Sequence, residues 1–281
     1  MDNPSPKTIC LQGDPGVGKS RMSCLTAIHK PVYVMDIDRK LRSAAWAQAG
    51  LASGDIICWE LREPVDDSNI RSRILSLTTA ITQQGPTIRP KGFVAWSEQF
   101  YKIPEVAKEY KIGTVAVQSL TLLNEHMKSM IMFDAKRSKF TFDQWSALKI
   151  GWMDTFSVMR DICMENNLDL IVEVHERVVG EPGEKTTGVE IIEVASKSEG
   201  ISTQRIYKGT QDISILASID GQFGSLIGAQ TDEYYHLFVD ASDKDHPQWR
   251  CRVWPDGRRN LRTSFSVKQA VFAPDFREIW K

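Results

Sequence analysis

Apolar and polar positions along this chain shift between a two-residue and a three-to-four-residue period, and the segments they define alternate as strands and helices. Residues 8–12 form a short apolar run of strand length, and residues 20–29 place Met22, Leu25 and Ile28 at helical spacing. A second strand is expected over 31–36 and a third over 56–61. Residues 69–83 predict an amphipathic helix with Ile70, Ile74, Leu77 and Ile81 on one face. The prolines of 85–92 predict a loop, and 93–110 a helical stretch broken near Pro104. Residues 113–121 begin with small and β-branched side chains and end polar, the pattern of a central parallel strand. A long helix is expected over 142–165, with Phe142, Trp145, Leu148, Trp152, Phe156, Met159 and Cys163 packing into a core.

Residues 168–174 return as a strand that ends at His175-Glu176. Residues 180–209 read as a glycine-bearing, partly ordered excursion with balanced charge, and 213–228 as a turn-rich patch. Two alternating strands follow at 233–239 and 248–254, with a tight turn at 255–258. The tail ends in a short apolar-faced helix carrying Phe272, Phe276, Ile279 and Trp280. The expected fold is α/β: a mostly parallel central sheet flanked by helices, with a C-terminal β-hairpin. One domain is expected across residues 1–281, with its core at about 7–240 and the hairpin and tail at 241–281.

Composition changes this picture in two places. Five scattered cysteines with no C-x-x-C pair indicate neither a disulfide framework nor a zinc site, and no signal peptide or long apolar run is visible, so a reduced cytoplasmic protein is expected. A formal net charge of −1 gives no global basic field. Locally, residues 248–262 hold five arginines (Arg250, Arg252, Arg258, Arg259 and Arg262) against the single acid Asp256, interleaved with Trp249 and Trp254. Such a segment suits single-stranded nucleic acid, through phosphate pairing and stacking, or arginines reaching a neighbouring subunit's nucleotide. The plain alternative is a solvated hairpin.

The chemistry centres on Gly13, Asp14, Pro15, Gly16, Val17, Gly18, Lys19 and Ser20, which fit G-x-x-x-x-G-K-[ST]. In that motif backbone N–H groups and the lysine cradle nucleotide phosphates, and the strand before it and helix after it are the context the motif requires. Asp36 and Asp38 follow the second strand, where ligands of open α/β sheets gather. Asp36 reads equally well as a cap for the turn before Lys40-Leu41. His175 is either a satisfied core histidine or a polar group facing the γ-phosphate.

The succession GDPGVGKS, VYVMDIDRK, TVAVQSLTLL, a long helix, DLIVEVHE and IDGQFGSLIGAQTDEYYHL resembles phage-encoded ATPases with a RecA-like core, in particular the group linked to single-strand annealing and recombination. The resemblance covers roughly residues 7–262. It implies ATP and Mg²⁺ as cofactors, Lys19 as the β/γ-phosphate ligand, Ser20 as a Mg²⁺ ligand and Arg21 beside them in the nucleotide site. Asp38 falls at the acid that orients the attacking water, and His175 at the γ-phosphate sensor; with Lys19 these form the implied catalytic set. It further implies single-stranded DNA as partner, a homo-oligomeric ring or filament, a single-strand DNA-binding protein as a further partner, and the cytoplasm of a host cell. Residues 180–209 fall where a DNA-facing loop would lie, and the basic hairpin where cationic residues reach across a subunit interface.

One departure stands out. The family has aspartate at the end of the central strand, and this chain has Gln118. A neutral amide beside a divalent ion is expected to weaken metal affinity and slow turnover. The sequence therefore predicts either a working ATPase helped by Asp36 or Asp38, or a nucleotide-dependent DNA-binding oligomer with little hydrolysis. A P-loop kinase is a third reading, which the extended pattern of the basic hairpin disfavours because such kinases carry a helical lid.

Overall fold

The structure, a computed structural model, describes residues 5–62, 90–137, 139–179, 189–196, 200–207, 214–220, 223–242, 246–256 and 259–280; over 178–179, 189–196, 200–207 and 214–215 it describes backbone only. Its strands and helices run in the order β1 (Thr8–Gln12), α1 (Lys19–Leu25), β2 (Val32–Asp36), α2 (Gln48–Ser53), β3 (Ile56–Glu60), α3 (Gly92–Tyr101), α4 (Ile103–Tyr110), β4 (Thr114–Gln118), α5 (Leu120–Asp134), α6 (Phe142–Glu165) and β5 (Asp169–Val174). There follow β6 (Glu176–Val179), β7 (Val189–Ser196), β8 (Gly200–Tyr207), β9 (Ser214–Ala217), α7 (Phe223–Gln230), β10 (Glu233–Asp240), β11 (Gln248–Arg252), β12 (Val271–Phe272) and α8 (Phe276–Ile279).

Eight strands form one mixed, mostly parallel sheet in the order β12-β11-β10-β1-β5-β4-β2-β3, so the fold is α/β. β1 lies between β10 and β5 and pairs in parallel with both, Leu11 standing opposite Tyr235 on one side and Glu173 on the other. β11 and β12 close that edge antiparallel. Two small antiparallel pairs, β6 with β9 and β7 with β8, lie outside the main sheet.

β1, β2, β4 and β5 are buried on both faces, and their alternate residues divide between two cores. Ile9, Leu11, Val32, Val34, Ala116 and Ile171 pack with Met22 and Cys24 of α1 and with Phe276 and Ile279 of α8. Cys10, Tyr33, Met35, Val115, Val117, Leu170 and Val172 pack with α3 to α7. On this second side the Trp152 indole N–H donates to Asn124 Oδ1 at 2.8 Å, and its ring stacks on Phe223 with centroids 5.7 Å apart. That contact gives the buried tryptophan a partner for its one polar atom. Asp220, in the Ile-Asp-Gly stretch singled out above, is held by Lys128 at 2.6 Å and Arg177 at 3.2 Å.

Several expectations are corrected. The helix after the glycine-rich loop stops at Leu25 instead of reaching 29; Thr26 caps it, its hydroxyl donating to the Met22 carbonyl at 2.9 Å. The helical stretch over 93–110, by contrast, is broken near Pro104 as expected: it divides at Lys102 into α3 and α4, and Pro104 sits in the first turn of α4, where its missing N–H costs nothing. Along α6 the face from Leu148 to Cys163 is buried as expected, but Phe142 and Trp145 at its start are exposed. The polar end of the strand pattern over 113–121 is the start of α5; Ser119 caps that helix, accepting from the Leu122 N–H, and Leu120, Leu123 and Met127 form its buried face. The turn-rich patch over 213–228 contains β9 and α7.

β10 does not alternate, because neighbours on both edges and both faces bury it. β11 ends at Arg252 and pairs antiparallel with the preceding strand β10 on one side and with β12 on the other; the expected turn at 255–258 lies partly outside the described residues. The expected helix over 69–83 and Arg258 lie outside the described residues. The excursion over 180–209 is described only in its β7–β8 hairpin.

Candidate functional site

Because β1, β2, β4, β5 and β10 are parallel, their C-terminal ends share one edge, and the glycine-rich loop leaves β1 at that edge. A cleft of about 840 Å³ opens there. It brings together Pro15, Gly16, Gly18, Lys19, Ser20 and Arg21 of the loop and α1 with Asp36, Asp38, Gln118 and His175. Gly13, Asp14 and Val17 do not line it. Gly13 is required by close approach: a Cβ there would come 2.4 Å from the Leu237 carbonyl oxygen of β10. Gly18 has φ 91°, in the left-handed region that favours glycine. Val17 packs into the core beside α1.

Lys19 is buried, and its Nζ donates to the carbonyl oxygens of Gly13 and Asp14, each at 2.8 Å. Burial holds its pKa below the ordinary lysine value, against the pull of Glu173, Asp14, Glu176 and Asp38. The cation is thus held by dipoles of its own loop, an arrangement a more negative ligand can displace. His175 is pushed down to about 4, by burial first and by the Lys19 charge second, so it is neutral near pH 7. Its backbone N–H donates to Thr121 Oγ1 at 3.0 Å, and its buried Nδ1 has no hydrogen-bond partner among the described residues. Asp38 stands 3.7 Å from Lys40 at the cleft wall. Asp36 serves as a cap: its Oδ2 accepts from the Leu41 N–H at 2.7 Å.

The residue that sequence reasoning passed over is Glu173. It is 2 % exposed near the C-terminal end of β5, with Oε2 accepting from Ser20 Oγ at 2.7 Å and Oε1 from Ser23 Oγ at 2.6 Å. Gln118 ends the next strand on the same face, its Nε2 lying 3.5 Å from both Ser23 Oγ and Cys24 Sγ. A signal was present: an acid inside Leu-Ile-Val-Glu-Val interrupts an otherwise apolar buried strand, where a charge is costly unless it is partnered. Burial raises the Glu173 carboxyl above its ordinary 4.5, although Ser23, Ser20 and Lys19 pull it down.

A pH effect follows from that shift. With the folded-state pKa above the unfolded one, the native state holds the extra proton between the two values. Stability therefore falls as pH rises from about 4.5 towards the folded pKa. Glu173→Gln is expected to raise the melting temperature of ligand-free protein at neutral pH by roughly 2–6 °C, for about 1–2 kcal/mol. The gain should shrink as pH falls towards 4.5. Melts across that range, followed by circular dichroism, check it; a variant that melts below wild type at neutral pH contradicts it.

The far wall of the cleft comes from the end of the chain. Pro247, Gln248 and Trp249 lie on one side and Ala273 to Asp275 with Arg277 on another. The Trp249 ring sits 3.5 Å from the position a Cβ on Gly18 would occupy, directly over the loop. None of the arginines at 250, 252, 259 and 262 lines the cleft. Arg262 is exposed, and Arg250 bonds Gln248. Arg252 lies over the Phe238 ring and 3.7 Å from Asp256. Arg259 is drawn inward, 2.7 Å from Asp256 and 3.5 Å from Glu176, whose carboxylate also meets His236 at 3.1 Å. Burial pushes the Glu176 carboxyl up, but His236 and Arg259 more than offset it and hold it below its ordinary value.

A scan against protein-family models finds no match, and no curated protein matches the sequence.

Proposed function

We propose that this chain is a nucleotide-binding protein with a RecA-like core, an ATPase that takes ATP with Mg²⁺ and acts on single-stranded DNA in phage recombination or replication, as an oligomer. What carries the reading is the glycine-rich loop with Lys19 opening onto a cleft large enough for a nucleotide, about 840 Å³. Gly16, Gly18, Lys19 and Ser20 bring backbone N–H groups and one buried cation to the cleft, where phosphates would sit. Arg21 and the wall at 273–277 would flank the remainder of the nucleotide.

The donor set suits a hard divalent cation: a serine hydroxyl, a carboxylate bonded to it and an adjacent amide are all oxygen-bearing groups. Ser20 would hold Mg²⁺ directly, and the ion's chemistry there is neutralisation of phosphate charge. Asp38 is the chain's candidate for orienting the attacking water. His175, neutral near pH 7 and lining the cleft, is suited to hydrogen-bond a terminal phosphate. Both roles remain those implied by the family resemblance.

The test is calorimetric titration with ATP, followed by phosphate release with and without single-stranded DNA. Binding and DNA-stimulated turnover are expected; absence of binding overturns the reading. The second reading, a nucleotide-dependent DNA-binding oligomer with little hydrolysis, is favoured by one observation, the amide of Gln118 at the end of β4. Binding without turnover selects it.

For DNA contact the exposed or half-exposed Arg250 and Arg262 are better probes than the inward Arg259. Replacing both with alanine is expected to reduce the slope of log affinity against log salt by about 0.7 for each phosphate no longer neutralised. Fluorescence titration of a labelled oligonucleotide at several salt concentrations reads this slope. Equal slopes in variant and wild type reject contact by these two residues.

A further inference from the structure

Resting on the nucleotide reading above, we infer that the carboxylate serving the phosphate-side cation has moved one strand over, from the end of β4 to Glu173 in β5, and that Gln118 is its neutral complement. Three observations support this. The serine of the glycine-rich loop, the hydroxyl expected beside the metal, donates to Glu173 at 2.7 Å and not to any group on β4. Glu173 is buried on the α1 face of the sheet, held by a second hydroxyl from Ser23, and lines the same cleft as Lys19 and Ser20. Gln118 follows Val117, whose partner across the strands is Val172, so residues 118 and 173 are neighbours on that face. Its amide reaches the same Ser23 hydroxyl that Glu173 holds.

An aspartate at 118 would set two buried carboxylates side by side, and like charges at that range cannot both stay ionised. The glutamine is thus what a glutamate at 173 requires of its neighbour. The exchange conserves one negative charge beside Ser20 while changing the strand that supplies it. Glu173 is in this account a direct or water-mediated metal ligand, and Gln118 a positioning residue.

The experiment is titration of ATP into wild type, Glu173→Gln, Gln118→Asp and the double variant, each in Mg²⁺ and in EDTA, with circular dichroism confirming folding. For wild type, Mg²⁺ is expected to tighten ATP binding by about tenfold or more, a loss of at least about 1.4 kcal/mol when removed. Glu173→Gln should bind ATP in EDTA at least as well as wild type and lose most of the Mg²⁺ enhancement. Gln118→Asp should be less stable than wild type at neutral pH, and the double variant should regain the enhancement that Glu173→Gln lost. Glu173→Asp, which keeps the charge but withdraws it by one methylene, should retain less of the enhancement than wild type. Full Mg²⁺ enhancement in Glu173→Gln, or ATP binding by wild type that is indifferent to Mg²⁺, overturns the inference. No ATP binding by wild type in either buffer instead overturns the nucleotide reading on which it rests.

Discussion

Lys19→Ala is expected to weaken ATP binding by at least about 100-fold while leaving the ligand-free protein close to wild-type stability. The loss follows from chemistry at one atom. Nζ donates to two carbonyl oxygens of its own loop and can transfer both bonds to phosphate oxygens. Charge-assisted hydrogen bonds contribute about 1.5–3 kcal/mol each, so two of them correspond to roughly 10²-fold or more in affinity. The small stability effect follows from the direction of the lysine's pKa. Burial lowers it despite four acidic neighbours, so without phosphate the charged ammonium is less comfortable in the fold than in water. Titration calorimetry beside a thermal melt separates the two effects. Near-wild-type ATP affinity in a folded Lys19→Ala protein would remove the loop from the binding account.

The largest stability effect outside the cleft is expected at Phe276. Its ring is 1 % exposed, lies against Tyr235 and Trp280 with centroids 6.3 Å and 5.5 Å away, and fills the core beside α1. Its backbone N–H donates to Thr26 Oγ1 at 3.2 Å, so the tail is fastened to the end of α1 by packing and by a hydrogen bond. Phe276→Ala should cost about 3–5 kcal/mol, which for a chain of this size lowers the melting temperature by roughly 10 °C. Because Pro274, Asp275 and Arg277 on either side line the cleft, the same substitution should also loosen ATP binding. A melt and a titration on the one variant test both. A drop below about 1 kcal/mol would show that the tail is not part of the core.

The parts of this fold that are legible in the sequence are those where pattern and burial agree. β1 spans residues 8–12 as expected, because a short, largely apolar run between polar ends has few alternatives. α6 spans 142–165 as expected, because a helical period sustained over 24 residues is hard to mistake. α7 is hidden by its glycines, which look like turn residues. In the structure a Cβ on Gly224 would meet the Ala217 carbonyl at 2.6 Å, and one on Gly228 the Tyr234 ring at 2.7 Å. They are glycines because a helix packs tightly there, which local sequence does not report.

The candidate site divides the same way. The loop, Asp38, His175 and the anomaly at Gln118 are local features, and each is visible in its own stretch of sequence. Glu173 lies 55 positions beyond Gln118 in the numbering, and only strand pairing makes them neighbours. Pro247 to Trp249 and the segment 273–277 reach the cleft through the antiparallel edge of the sheet and the packing of α8, neither of which leaves a mark on the tail's own composition.

The position of β1 has a consequence for how the protein comes into being. The loop that follows β1 leaves the ribosome long before β10, yet β10 is one flank of its strand, and Gly13 is pressed against the Leu237 carbonyl there. Thr26 waits for Phe276. A nascent chain therefore carries the complete motif through most of its synthesis without the far wall of its cleft, which is complete only once α8 has emerged. ATP present during translation should not stabilise truncated chains that end before β10, whereas it should protect chains that include α8 from proteolysis.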